Sequence, residues 1–452
     1  MAERVTARKA IALVADSFTA LPAPDRAHTS DGPLAWAGYD AALARAVERS
    51  GERESVVCGT ARLGGVEVVL IAFEFGFLGG SLGERTGDRL EAAYATSRER
   101  RLPLVSLIAT GGSRMQEGMR ALVQLQRVAR QSALTRAAGL PQIAVLLDPT
   151  TGGGWATLGA GADVVIAMSG AQVGFAGSRV RPAGADPAAY TAESQFAWGH
   201  VDVVVTQEGL PESAARWVSL LAPHHSHRPV HPAEPPEGLT HASLPETGWD
   251  AVHAARDPAR PRAQAYLDAY FTHRVTISGD RCGGIDHGML CGFGSARRDG
   301  RTIAFAAQNG TATGPAGFRT ATRLIKLADR LSLPVLTLVD TPGAASDAEA
   351  ERTGAGAAIA ELFATVASAQ VPVTTLVIGE GGSGGALALA AAGNTWVTAD
   401  SYFSVIVPEL AAAILKRPAH QASSLSDQLR LRPQDMVALG VARGIVRAQP
   451  ET

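Results

Sequence analysis

Cysteine is almost missing from this chain: Cys58, Cys282 and Cys291 are the only three among 452 residues. So sparse and odd a set excludes a disulfide framework and suits a reducing compartment. No Cys-x-x-Cys occurs, which leaves a zinc ribbon without its ligands. Cys282, His287 and Cys291 follow no metal-ligand spacing and read as small packed residues, so no metal is expected. Long apolar runs are missing as well. No stretch reaches the ~20 uncharged residues that span a bilayer, and Glu3 with the weak run 11–15 does not form a signal peptide. The expectation is a cytoplasmic protein with no membrane contact. Nor does charge of one sign dominate, since 41 Lys and Arg against 43 Asp and Glu leave a net −2. The densest basic cluster, Arg98, Arg100 and Arg101, is interrupted by Glu99 and reads as a solvated helix face, so no nucleic-acid partner is expected. A G-x4-G-K-[ST] phosphate loop is absent.

Glycine, by contrast, is abundant: 49 residues, about 11% of the chain against roughly 7% in average usage. It clusters in two matching places. Pro103 opens an apolar run that ends at Gly111-Gly112, and Pro141 opens another that ends at Gly152-Gly153-Gly154. Pro334 and Pro372 open the second pair, which ends at Gly343 and at Gly381–Gly385. The two prolines are 38 residues apart in both copies (141 − 103 and 372 − 334), and the copies are offset by 231 (334 − 103). Short apolar runs bounded by Pro and Gly read as strands buried on both faces. Upstream, Gly65 and Gly300 mark hairpin turns into further strands, and helical periodicity follows over 90–97 and 321–331. Strands alternating with helices predict βαβ units. Between the copies lies a Pro- and His-rich stretch that includes Pro223, His224, His225, His227, Pro229, His231, Pro232, Pro235 and Pro236. It reads as an exposed connector. The expected organisation is a domain over 1–222, a linker over 223–249 and a second domain over 250–452.

The glycine turns admit several chemistries. Gly379, Gly381 and Gly384 with Asp400 satisfy a dinucleotide fingerprint, but the first copy does not repeat it. Gly381-Gly382-Ser383-Gly384-Gly385 satisfies the G-x-S-x-G nucleophile elbow, with Asp400 and His420 in chain order for a triad. The first copy has no serine at the matching place. The reading that accounts for both copies is oxyanion stabilisation. Glycine lets backbone N–H groups approach a developing oxyanion, a helix N-terminus adds positive partial charge, and one such donor contributes roughly 3–4 kcal/mol of barrier lowering.

At these residues the chain closely resembles the carboxyltransferase component of acetyl-CoA carboxylase. The N-terminal half resembles its β subunit through Phe73–Gly83, Gly111–Gly118, Asp148–Gly154 and Gly174–Val180. The C-terminal half resembles its α subunit through Arg256–Pro261, Gly279–Arg281, Gly317–Arg319, Asp340–Gly343, Gly379–Ala386 and Ser404–Glu409. The motifs run in order over roughly residues 50–445. The resemblance implies an α/β fold of two tandem crotonase-like (ClpP/crotonase) β-β-α superhelix domains. It implies transfer of a carboxyl group from carboxybiotin to the α-carbon of an acyl-CoA, acetyl-CoA to malonyl-CoA above all. It further implies two oxyanion holes, one built from Gly153 and Gly154, the other from Gly385 and Ala386. Gly111, Gly112, Gly152, Gly343 and Gly384 are expected to line the substrate sites. The implied partners are a biotin carboxyl carrier protein, biotin carboxylase, an acyl thioester on CoA or acyl carrier protein, and further copies of the chain in a dimer or larger homo-oligomer.

Several features depart from the family pattern. The four-cysteine zinc finger usual in β subunits has no counterpart here. Ala345-Ser346-Asp347 replaces a usual Tyr-Pro-Gly, and Gly393-Asn394 stands where an Asp and a basic residue are usual, whereas the first copy keeps Asp163. No Ala-Met-Lys-Met biotinylation site and no ATP-binding segment is present, so biotin is expected on another polypeptide. Two alternatives are carried: a biotin-independent decarboxylase of a malonyl-type thioester, suited by the altered 345–347 loop, and a non-catalytic carboxylase subunit. Glu117 and Glu409 are expected in capping or structural hydrogen bonds. For Arg114 and Arg179, contact with CoA phosphates or a carboxylate and simple salt bridging both stay open.

Overall fold

Each proline that opens an apolar run starts a strand for a simple reason. It has no N–H to donate, so it stands where a ladder begins and contributes only its carbonyl. In the computed structural model, which describes residues 4–222 and 229–448, Pro103 accepts from Val69 N at 2.9 Å and Pro334 from Ala304 N at 3.0 Å. Pro141 and Pro372 accept in the same way from Leu104 N and Val335 N.

The described residues form two compact units, the first ending at 222 and counting Arg281–Gly283 with it, the second beginning at 229. The first contains β1 (Ser17–Ala20), β2 (Val56–Leu63), β3 (Val66–Phe73), β4 (Leu104–Thr110), β5 (Gln142–Thr151), β6 (Val164–Met168), β7 (Val173–Gly174) and β8 (Val203–Val205). The second contains β9 (Phe271–Ile277), β10 (Met289–Ala296), β11 (Thr302–Gln308), β12 (Val335–Thr341), β13 (Val373–Gly382), β14 (Thr395–Val397), β15 (Tyr402–Ser404) and β16 (Gly444–Ile445). The sheet orders are β1-β2-β3-β4-β5-β6-β8 and β9-β10-β11-β12-β13-β14-β16, with β7 and β15 added beside β5 and β13. The sheets match strand for strand. In each, the first three strands are antiparallel and the rest are parallel.

Both faces of the central strands are covered, so every residue of β4, β11 and β12 is buried. Helix Glu84–Arg100 crosses from β3 to β4, and Pro315–Arg330 crosses from β11 to β12. Both begin several residues before the periodic stretches expected from sequence. The second helix buries Phe318, Ala321, Leu324, Ile325 and Ala328, each large member contributing roughly 1.5–3 kcal/mol. In the expected linker, Pro223, His224, His225 and His227 lie outside the described residues. Residues 229–247 contain no helix or strand, yet Ala233 is buried in the second unit's core and accepts from Thr374 Oγ1 at 2.7 Å.

Candidate active site

Adjacent parallel strands end at one sheet edge, so the loops after β4 and β5 meet, as do those after β12 and β13. Such carboxyl ends are where open α/β sheets bind ligands. In the first unit Thr110 Oγ1, at the last residue of β4, accepts from Gly112 N at 3.1 Å. Gly152 follows β5 with φ of +65°. A Cβ on Gly152 would lie 3.0 Å from Gly112 Cα, and one on Gly154 would lie 2.4 Å from Thr110 Cγ2. Gly152 N donates to Phe175 O, while Gly153 and Gly154 open a helical turn, where N–H groups have no intrahelical acceptor. Gly111, Gly112, Gly152, Gly153 and Gly154 are thus brought together.

The second unit repeats this geometry at the same offset. Thr341 Oγ1 accepts from Gly343 N at 3.1 Å. Thr313 N donates to Gly343 O as Leu82 N does to Gly112 O. Ser383 takes the place of Gly152 and, although not glycine, has φ of +54°. A Cβ on Gly385 would lie 2.3 Å from Ala344 N, whereas one on Gly384 would meet nothing within 4 Å. Gly343, Gly384, Gly385 and Ala386 are therefore brought together too. The 231 offset pairs Gly153 and Gly154 with Gly384 and Gly385. The expected donors Gly385 and Ala386 are one residue further along, level with Gly154 and Trp155.

Buried ion pairs hold both loops. In the first unit Arg114, 1% exposed, pairs with Glu54 and, at 3.3 Å, with Glu117. Burial opposes ionisation of Glu54, but the charge and hydrogen bonds of Arg114 hold its carboxyl below the ordinary range. Glu117 accepts from Tyr39 OH and, at 2.6 Å, from Glu84 N at the start of the crossover helix. Its role is a helix cap, and Arg114 is an internal salt bridge; Arg179 is exposed. In the second unit Asp340, at the end of β12, binds Arg260 at 2.5 Å and Arg262 at 3.0 Å and accepts from Glu380 N. Arg256 joins Glu380 and Glu409, and its hydrogen bond lowers the Glu409 pKa. Glu409 is thus the structural partner expected of it.

The hydrolase triad is not assembled among the described residues. Asp400 is buried and accepts from Thr240 Oγ1, while His420 is exposed in the turn Ala419–Gln421. No hydrogen bond links either to Ser383 among the described residues. Asn394 matches Asp163 at the 231 offset. Both pin the start of a strand: Asp163 Oδ2 accepts from Gln142 N, and Asn394 Nδ2 donates to Val373 O. The glycine turn lies at the far end of the ten-residue β13, roughly 30 Å away at strand rise, so this departure does not touch the pocket. Asp347 in the altered loop caps helix Ala348–Arg352. Sequence reasoning missed Glu54 and Gln308, which no motif marks. It also missed Thr110 and Thr341, although their shared offset was visible.

Residues 32–237 match the family described as carboxyl transferase domain, and residues 241–451 match acetyl co-enzyme A carboxylase carboxyltransferase-like. The chain is 38% identical over 429 residues to the acetyl-coenzyme A carboxylase carboxyl transferase subunits beta/alpha of Saccharopolyspora erythraea, covering 90% of this chain and 74% of that protein. Its Salinispora arenicola namesake is 39% identical, with coverage of 95% and 80%. Among solved structures, transcarboxylase 12S, a hexamer, aligns with a TM-score of 0.78 at 20% identity, over 98% of this chain and 86% of its own. A single-chain long-chain acyl-CoA carboxylase aligns with a TM-score of 0.75 at 18% identity, over 98% and 46%. The two tandem units share the crotonase-like fold of these structures, and the two family models make the chain a carboxyltransferase. The chain belongs to the family of acetyl-CoA carboxylase carboxyl transferases, with β and α parts fused in one polypeptide.

Proposed function

We propose that the chain moves a carboxyl group from biotin, carried on a separate carrier protein, to the α-carbon of an acyl-CoA, with acetyl-CoA giving malonyl-CoA. The observation that carries this reading is the pair of glycine-lined turns at equivalent places, because the transfer develops negative charge on two oxygens, one on each reactant. Biotin, when bound, supplies the carboxyl group and a ureido nitrogen able to accept the α-proton. The cradles suit oxygens that gain negative charge, since their lining is backbone and the nearby carboxylates Glu54, Glu117 and Asp340 are each paired with arginine. The N–H groups of Gly153 and Gly154 hold one oxyanion and those of Gly385 and Ala386 the other. Gly111, Gly112, Gly152, Gly343 and Gly384 exclude side chains where substrate must approach.

The reading extends to domains over 1–222 and 250–452, a linker over 223–249, a homo-oligomer of two or more copies, and docking of a biotin carboxyl carrier protein served by biotin carboxylase. A cytoplasmic location is supported by the sparse, odd set of Cys58, Cys282 and Cys291, which suits a reducing compartment. Among the described residues no helix is long and apolar enough to cross a membrane. The test is malonyl-CoA consumption by purified protein with and without free biotin or biocytin, following acetyl-CoA. Biotin-dependent loss of the carboxyl group is expected. Loss at the same rate without biotin would overturn the reading in favour of a decarboxylase, and no turnover of malonyl-CoA or its homologues would favour a non-catalytic subunit.

A further inference from the structure

Gln308, the last residue of β11, is wholly buried next to the second glycine turn. Its Nε2 donates to Gly385 O at 3.0 Å and to Thr313 Oγ1 at 3.1 Å, and its Oε1 has no partner. Because Gly385 O can only accept, the amide must present its NH2 group there. The helix itself does not serve this carbonyl: Ala388 N donates to Gly384 O and Leu389 N to Ala386 O. Gly385 C=O and Ala386 N–H belong to one peptide unit. In a trans peptide the two point in opposite directions, so clamping the carbonyl fixes where the N–H is aimed. A hydrogen bond accepted by the carbonyl also polarises the unit and strengthens the N–H as a donor.

We propose that Gln308 is the positioning residue of the second oxyanion pocket, orienting and polarising the Gly385–Ala386 peptide so that Ala386 N–H meets the developing charge. This rests on the function proposed above. The glutamine belongs to the second unit; in the first, Thr157 Oγ1 donates to Gly153 O at 2.7 Å. Val69 pairs with Leu104 as Ala304 pairs with Val335, so the register places Phe73, which has no donor, where Gln308 stands.

The experiment compares wild type with Gln308→Met, which keeps the volume and loses the donor, and Gln308→Glu, which donates only when protonated. With biotin and malonyl-CoA, Gln308→Met is expected to lower kcat about tenfold or more with KM within about twofold, short of the 10²–10³ for outright loss of a donor. Gln308→Glu should gain activity toward acid relative to wild type. Hydrogen exchange of the 383–389 segment, read by mass spectrometry without substrate, should quicken in Gln308→Met. Wild-type kcat in Gln308→Met, unchanged exchange, or a Gln308→Glu pH profile parallel to wild type overturns the proposal. If Gln308→Met does not fold, the Gln308→Glu profile and its exchange decide. An inactive wild type would refute the proposed function instead, and exchange would still decide whether Gln308 clamps the turn.

Discussion

At Gly385 a single added carbon has nowhere to go. Its Cβ would stand 2.3 Å from Ala344 N, a backbone atom that cannot swing aside. Gly385→Ala must push the helical turn away from the loop after β12 and re-aim the Ala386 N–H. A fall in kcat of about 10²–10³ is expected, the scale of a lost oxyanion donor, while circular dichroism still reports a folded chain. Gly384 is the contrasting neighbour, because a Cβ there meets nothing within 4 Å and φ is not positive. Gly384→Ala should melt at the wild-type temperature and raise KM for the acyl thioester, since the new methyl projects into space reserved for substrate. Equal effects of the two substitutions on kcat would count against this assignment. These glycines were legible because the pattern occurs twice. Gln308 was not, because one glutamine at a strand end carries no sequence signature.

Among the elements, the strands around the glycine turns were the easiest to read. β4 and β12, and likewise β5 and β13, begin and end at equivalent residues (104 and 335, 110 and 341; 142 and 373, 151 and 382). Proline at the start and glycine at the end leave little freedom in where such a strand begins and stops. The short strands β7, β8 and β15 were illegible, since two or three residues show no periodicity. The ion pairs that brace the loops were equally hidden: Arg260 and Asp340 both sit in family motifs, 80 residues apart, and only the fold joins them. Both are nearly inaccessible, at 3% and 1% exposure. Breaking such a pair by removing one partner leaves a charge without compensation and costs about 3–5 kcal/mol. Asp340→Asn is therefore expected to lower the urea midpoint of the purified chain clearly, and Arg260 should account for it. The milder loss in a double Asp340→Asn, Arg260→Met variant would confirm that the stranded guanidinium is the cause.

For the whole molecule, the same logic sets its response to acid. Net charge is only −2, so near neutrality little general repulsion acts and particular carboxylates govern the pH dependence. Glu54 and Asp88 in the first unit are pressed upward by burial but pulled down further by their arginines, and end below the ordinary range. Hydrogen bonds from Arg256 and Arg432 lower Glu409 and Asp435 in the second unit. A carboxyl group whose folded pKa is depressed contributes stability that is fully present above its unfolded value, about 4. That contribution is lost as pH falls through the folded value. The melting temperature should therefore stay level above about pH 5 and drop below about pH 4 as these groups are forced to protonate. Glu54 is fully buried against Arg114 and carries more of this dependence than the part-exposed pairs, whose contribution solvent screens. Glu54→Gln should melt lower than wild type at pH 7, because Arg114 loses its main counterion. It should also lose less on going from pH 7 to well below pH 4, because the group that would have titrated is gone. Thermal scans of both proteins at neutral pH and well below pH 4 decide the matter: parallel losses would show that acid acts through other carboxylates, and convergence in acid would place it at the Arg114 pair.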